Sequence, residues 1–213
     1  MADKVVLEQK EFLAVKAEID EEEAFLKWLS IELAPTLCGS KPSTILSLID
    51  TKYRAALTIW RKTGNKMLAV SPVRTLSLKS LKDRECVLFY RNDKLKQCIC
   101  QPSHQLFLGK MGYPVNRGIG ACLQELQERF RVCCPHEIGI FLGIPLKDVQ
   151  GFMGIGSLTE TCRKEWCIYG DIQESLDVME RFAADKNHVN RLLLNGMNPE
   201  EILAGSRIWR NTA

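Results

Sequence analysis

Pro135-His136-Glu137-Ile138-Gly139-Ile140-Phe141-Leu142-Gly143-Ile144-Pro145-Leu146-Lys147-Asp148-Val149-Gln150-Gly151-Phe152 is the stretch where apolar periodicity, turn residues and reactive side chains coincide. Ile138, Phe141 and Leu142 recur at three and four residues, which sets them on one face of a short helix. Gly143 follows where a left-handed C-cap belongs. Pro145 carries the fixed φ of a helix's first turn, so a second helix is predicted from there, burying Leu146, Val149 and Phe152. The two helices meet at a tight corner. His136 and Glu137 stand at the N-terminus of the first, where the helix dipole favours a carboxylate, and they form the candidate catalytic pair.

Upstream, residues 4–33 read as a helix with Phe12, Val15, Ile19, Phe25, Trp28, Leu29 and Leu33 as the buried stripe and Pro35 as its end. The acidic run 20–23 divides it into an extension and a core helix. Residues 34–42 form a loop, after which Ser43 or Thr44 caps a helix reaching about Lys62. Gly64-Asn65 signals a turn and 67–70 a short strand. Residues 73–78 and 86–90 form a hairpin around Lys82-Asp83-Arg84. Three helices follow, one capped by Asn92 or Asp93, one from Ser103, and one over 118–131 with Ile119, Cys122, Leu123, Leu126 and Phe130 inward. Beyond the corner, 165–169 reads as a strand, and Asp171 caps a helix burying Leu176, Met179 and Phe182. A last helix starts at Pro199, with Ile202, Leu203, Ile208 and Trp209 apolar. These elements predict an α+β fold, a mainly helical single domain with a small antiparallel sheet. The division is an N-terminal helical extension over 1–21, a core over 22–185 and a C-terminal helical segment over 186–213.

A chain of 213 residues, 46% apolar and 26% charged, is long enough for a real core without staples. It shows no run of eighteen apolar residues and no signal-peptide pattern, so no membrane association and a cytoplasmic location are expected. Nine cysteines (Cys38, Cys86, Cys98, Cys100, Cys122, Cys133, Cys134, Cys162 and Cys167) are an odd number without framework spacing, which points to free thiols in a reducing compartment. Residues 1–33 hold nine acids and four bases, whereas 41–117 hold fifteen bases and four acids. That basic segment is a candidate surface for an anionic ligand or an acidic protein, or else a face neutralised by the N-terminal helix.

The ligand-binding candidates are Lys41, Arg91, His136, Glu137, Trp166 and Tyr169. Arg91 is singled out because it ends a strand beside a predicted helix N-terminus, where backbone N–H groups favour anions. Cys98 and Cys100, with His104 four positions on, are weak metal candidates, since i and i+2 on a helix face apart. A Cys134 nucleophile with a His136 base is disfavoured, because catalytic Cys and His usually come from separate elements. The glycine and apolar spacing of 138–152 also fits a helix-turn-helix, with only Lys147 and Gln150 as readers of nucleic acid.

Residues 34–37 with Gly39 and Lys41-Pro42, then 87–91 ahead of Leu95, then Gly112-Tyr113-Pro114, then 135–152 and 166–171, resemble successive blocks of one bacterial family, the domain of unknown function 3793, over roughly residues 22–185. The chain departs from the family pattern at Cys134 and Ile144, where Phe and Tyr are usual. The resemblance implies a single folding unit from anaerobic bacteria in a redox or iron setting, and brings no catalytic residue or cofactor. The expected function is a cytosolic binding or accessory protein. The alternatives are a helix-turn-helix regulator, or a hydrolase or transferase using His136 and Glu137.

Overall fold

The computed structural model describes the backbone of residues 2–205 and the side chains from Asp20 to Gly205 apart from Asn65. The side chains of the expected stripe residues Phe12, Val15, Ile19, Ile208 and Trp209 lie outside what is described. Helix α1 (Ala2–Cys38) is continuous through the acidic run and buries Phe25, Leu29, Leu33 and Leu37 at four-residue spacing. Pro35 does not end it. In the last turn its missing N–H removes a single helical bond, and its carbonyl accepts from the Gly39 and Lys41 amides, both at 3.0 Å.

The next segment departs furthest from expectation. Ser43 and Thr44 open a strand, β1 (Ser43–Thr51), and not a helix. Both residue types serve caps and strands alike, and long-range partners decide between them. The Ser43 hydroxyl donates to the Phe141 carbonyl at 2.6 Å, and Thr44 shares a hydrogen bond with Thr36 at 2.8 Å. The chain turns back through β2 (Arg54–Ala55), and the helix starts only at α2 (Ala56–Met67), where Asp50 Oδ1 accepts from the Leu57 and Thr58 amides at 2.8 and 3.1 Å. Gly64 lies inside α2 instead of a turn, since a Cβ there would come 2.5 Å from the Trp60 ring. Residues 67–70 finish that helix and its exit turn, so the short strand expected there is absent.

The hairpin forms as expected from β3 (Val73–Ser80) and β4 (Arg84–Arg91). With the first two strands it makes an antiparallel sheet of order β2-β1-β4-β3, in which β4 pairs Leu88 with Ile45 on one side and with Leu76 on the other. Val87 and Phe89 face a core shared with α1 and α2, while Leu88 faces a second core. Both faces are therefore covered, which explains why 86–90 reads as an unbroken apolar run.

The second core is built by α3 (Asn92–Ile99), α4 (Pro102–Lys110), a 3-10 turn (Val115–Arg117), α5 (Ile119–Val132), α6 (Ile138–Phe141) and α7 (Leu146–Phe152). A two-stranded hairpin, β5 (Glu160–Arg163) with β6 (Cys167–Tyr169), then leads into α8 (Gln173–Leu194) and α9 (Pro199–Leu203). Ile202, Leu203 and Val189 join the α1 core, and α8 runs unbroken through 185–186. The molecule is one mainly helical α+β domain with the sheet between two helical layers. No helix among the described residues is long and apolar enough to cross a membrane.

Candidate functional site

The corner 135–152 is set by its backbone. Gly143 adopts φ +76°, the Ile144 amide donates to the Gly139 carbonyl at 2.9 Å, and a Cβ at Gly143 would come 2.7 Å from the Pro42 ring. Only glycine meets both demands. Helix α7 then packs on β6, where Gly151 leaves room for Tyr169: a Cβ there would come 2.2 Å from the ring.

Between this corner and β6 lies a cavity of about 250 Å3. Ile138, Leu142, Ile144 and Val149 give it apolar walls, and His136, Phe152, Cys134 and Trp166 also line it. Phe152, expected to be buried, is 53% exposed and meets the His136 imidazole edge-on at 5.0 Å between ring centroids. Its place at the cavity is the reason a helix-face pattern misplaces it.

Asp148, only 1% exposed, clasps this region together. Its Oδ1 accepts from Lys147 Nζ at 2.8 Å and the Tyr169 amide at 2.9 Å, and its Oδ2 accepts from Trp166 Nε1 at 2.8 Å and the Ser175 hydroxyl at 2.6 Å. Burial alone would raise its pKa, but these bonds outweigh it and hold the carboxyl below the usual carboxylate range. Lys147 also donates to the Tyr169 carbonyl at 3.1 Å and to Ser175 Oγ at 2.9 Å. The one cation of the candidate recognition helix is thereby committed inside the fold.

His136 and Glu137, adjacent in sequence, are separated in space. Glu137 is 5% exposed and does not line the cavity. Its Oε1 accepts from Arg129 Nη1 at 2.8 Å and from the Tyr113 hydroxyl at 3.1 Å. Arg129 donates as well to Glu125 at 2.8 Å and to the Met111 carbonyl at 2.5 Å, with its guanidinium 4.4 Å from the Tyr113 ring centroid. Burial and the Glu137 charge push the Tyr113 phenol up. The expected catalytic pair is thus one cavity-lining imidazole and one carboxylate held in a structural ion pair.

Of the other candidates, Trp166 lines the cavity, whereas Tyr169 serves through its ring on Gly151 and its backbone on Asp148. Lys41 sits elsewhere, its ammonium 5.0 Å from the Phe182 ring centroid, with burial and then Lys186 pushing its pKa down to about 8. Arg91 is engaged by its neighbours. It donates to Asp93 at 3.1 and 2.7 Å and to the Leu37 carbonyl at 3.1 Å. Cys98 donates to the Ile140 carbonyl at 3.3 Å, burial pushes its thiol up to about 11, and Cys100 is exposed beyond the helix end. Among the described residues no group of three or more His, Cys, Asp or Glu side chains is placed to hold a metal ion.

A family model matches residues 29–203, taking in every element from the last ten residues of α1 through α9. The chain belongs to DUF3793, a family described as protein of unknown function. No curated protein and no solved structure matches. In this DUF3793 chain the match continues to 203, past the expected limit of 185, through the residues that α8 and α9 add to the α1 core. Sequence reasoning missed the cavity walls as a site, because Ile138, Leu142, Ile144 and Val149 carry the same signal as ordinary core residues.

Proposed function

We propose that this protein is a bacterial, cytoplasmic binding or accessory protein with reduced thiols, whose cavity takes a small apolar or aromatic molecule with one polar end toward His136. The observation that supports this most is the chemistry of the cavity. Its titratable neighbours are Cys134, His136, Asp148 and Cys167, and all four lone-pair positions of Asp148 are committed to donors. Among the described residues that leaves the His136 imidazole in this cavity without a carboxylate to orient it, which supports a polar contact to a ligand. At about 250 Å3 the cavity lies just under the ~300–1,000 Å3 usual for drug-sized ligands, which favours a single small ring over a nucleotide or flavin.

The test is a thermal-shift and calorimetric screen of indole, small phenols and short branched carboxylic acids against the wild type and Ile144→Phe, which fills the cavity from its wall. Saturable 1:1 binding of one class, lost in Ile144→Phe while the circular dichroism spectrum is unchanged, is expected. Binding that survives the filled cavity, or no binding by any class, would remove the proposal.

A further inference from the structure

A second, polar cleft of about 320 Å3 lies where the end of α1, the α3–α4 junction, the α6–α7 turn and the start of α8 converge, and it shares only Ile144 with the apolar cavity. We infer that this cleft binds a small amino or hydroxy acid, with its carboxylate on the N-terminus of α4 and Lys94, and its donor group on His104 and Glu174. It is independent of the apolar cavity and of the function proposed for it.

Three observations carry this. His104 lines the cleft and is only 9% exposed. Its Nδ1 lies 2.8 Å from the Cys98 carbonyl oxygen, an acceptor only, so Nδ1 holds the proton and donates. In the neutral ring Nε2 is then a lone-pair acceptor, and it has no hydrogen-bond partner among the described residues. The buried His104 side chain thus brings an acceptor without a protein partner to the lining of the cleft, and a ligand that carries a donor matches it.

The second observation is the start of α4. Its helix has no side-chain cap, its first residue Pro102 has no N–H, and the Gln105 amide already donates to the Gln101 carbonyl at 2.9 Å. The Ser103 and His104 amides are therefore the first-turn donors without a helical acceptor, at the positive end of the helix dipole. Gln101, Ser103 and His104 all line the cleft. The third is charge of both signs: Lys94 and Glu174 both line the cleft, and neither forms an ion pair among the described residues. A simple anion would satisfy Lys94 and the helix terminus but leave Glu174 and Nε2 opposed. A carboxylate bearing a neighbouring hydroxyl or ammonium satisfies all four.

The experiment is a titration of the full-length protein with L-serine, L-lactate, L-malate, acetate and inorganic phosphate, followed by the 15N resonances of the His104 ring and by calorimetry. Binding of at least one of the first three with a shift of the Nε2 resonance is expected. Acetate should bind at least tenfold more weakly, and Lys94→Gln and Glu174→Gln should each weaken the amino or hydroxy acid at least tenfold. Both variants alter side chains outside the cores, so binding is read on a folded protein. Phosphate or acetate binding as tightly as the hydroxy acids would overturn the donor requirement. An Nε2 resonance unmoved by every compound would overturn the site.

Discussion

Asp148 ties several elements together, since one buried carboxylate satisfies an ammonium, an indole, a hydroxyl and a backbone amide. Replacing it by Asn keeps the shape but removes the charge that Lys147 needs, and breaking a buried pair in this way costs about 3–5 kcal/mol. The pH dependence has a definite sign. A carboxyl whose folded pKa lies below its unfolded value contributes stability at pH above about 4, and that contribution is lost as pH falls through the folded pKa. Urea midpoints measured from pH 6 to pH 2.5 should therefore separate the wild type from Asp148→Asn widely at pH 6 and bring them together in acid. His136 and Glu137 should part company in the same assay. Glu137→Ala takes away one of the two carboxylate partners of Arg129 and the acceptor of the Tyr113 hydroxyl, and should cost about 1–3 kcal/mol, whereas His136→Ala, at an exposed position, should stay within about 1 kcal/mol. A collapse of stability in His136→Ala would make the imidazole structural and remove it from the binding surface.

The corner of α6 and α7 works because small residues let other elements approach. Gly151→Ala would drive a methyl into the Tyr169 ring, and overpacking of this kind costs about 1–3 kcal/mol. Phe141→Ala, deep in the second core and 5.5 Å from the Tyr113 ring, should cost about 3–5 kcal/mol. Denaturant unfolding of both variants measures these effects. The corner, the β3–β4 hairpin and the helices α3 to α5 were legible in the sequence because each announces itself locally, through Gly143, through alternation, or through three- and four-residue spacing. Strand β1 was not, because Ser43 and Thr44 are equally good cap and strand residues and only pairing with β4, some forty residues away, chooses between them. The Asp148 and Glu137 clasps were hidden for the same reason. Their partners Trp166, Ser175 and Arg129 lie in other elements, and no spacing rule joins them.

At the scale of the whole molecule, three arginines of the basic segment are engaged by the fold, while others of its bases, Lys52, Arg74, Arg84 and Lys110 among them, are exposed. Arg54 stacks 4.2 Å from the Trp28 ring centroid, Arg61 donates to the Leu81 and Lys82 carbonyls at 2.6 and 3.0 Å, and Arg91 folds onto Asp93. Arg91→Ala should accordingly leave retention on heparin unchanged, and a large loss of retention would reinstate it as an anion anchor. The apolar cavity is the feature on which the functional reading rests, and it can be examined without knowing the natural ligand. Apolar walls of Ile, Leu and Val side chains are the kind of surface that takes up xenon. Crystals pressurised with xenon should show the gas bound against Ile138, Leu142 and Val149, and ordered water filling that space with no xenon bound would contradict an apolar binding site.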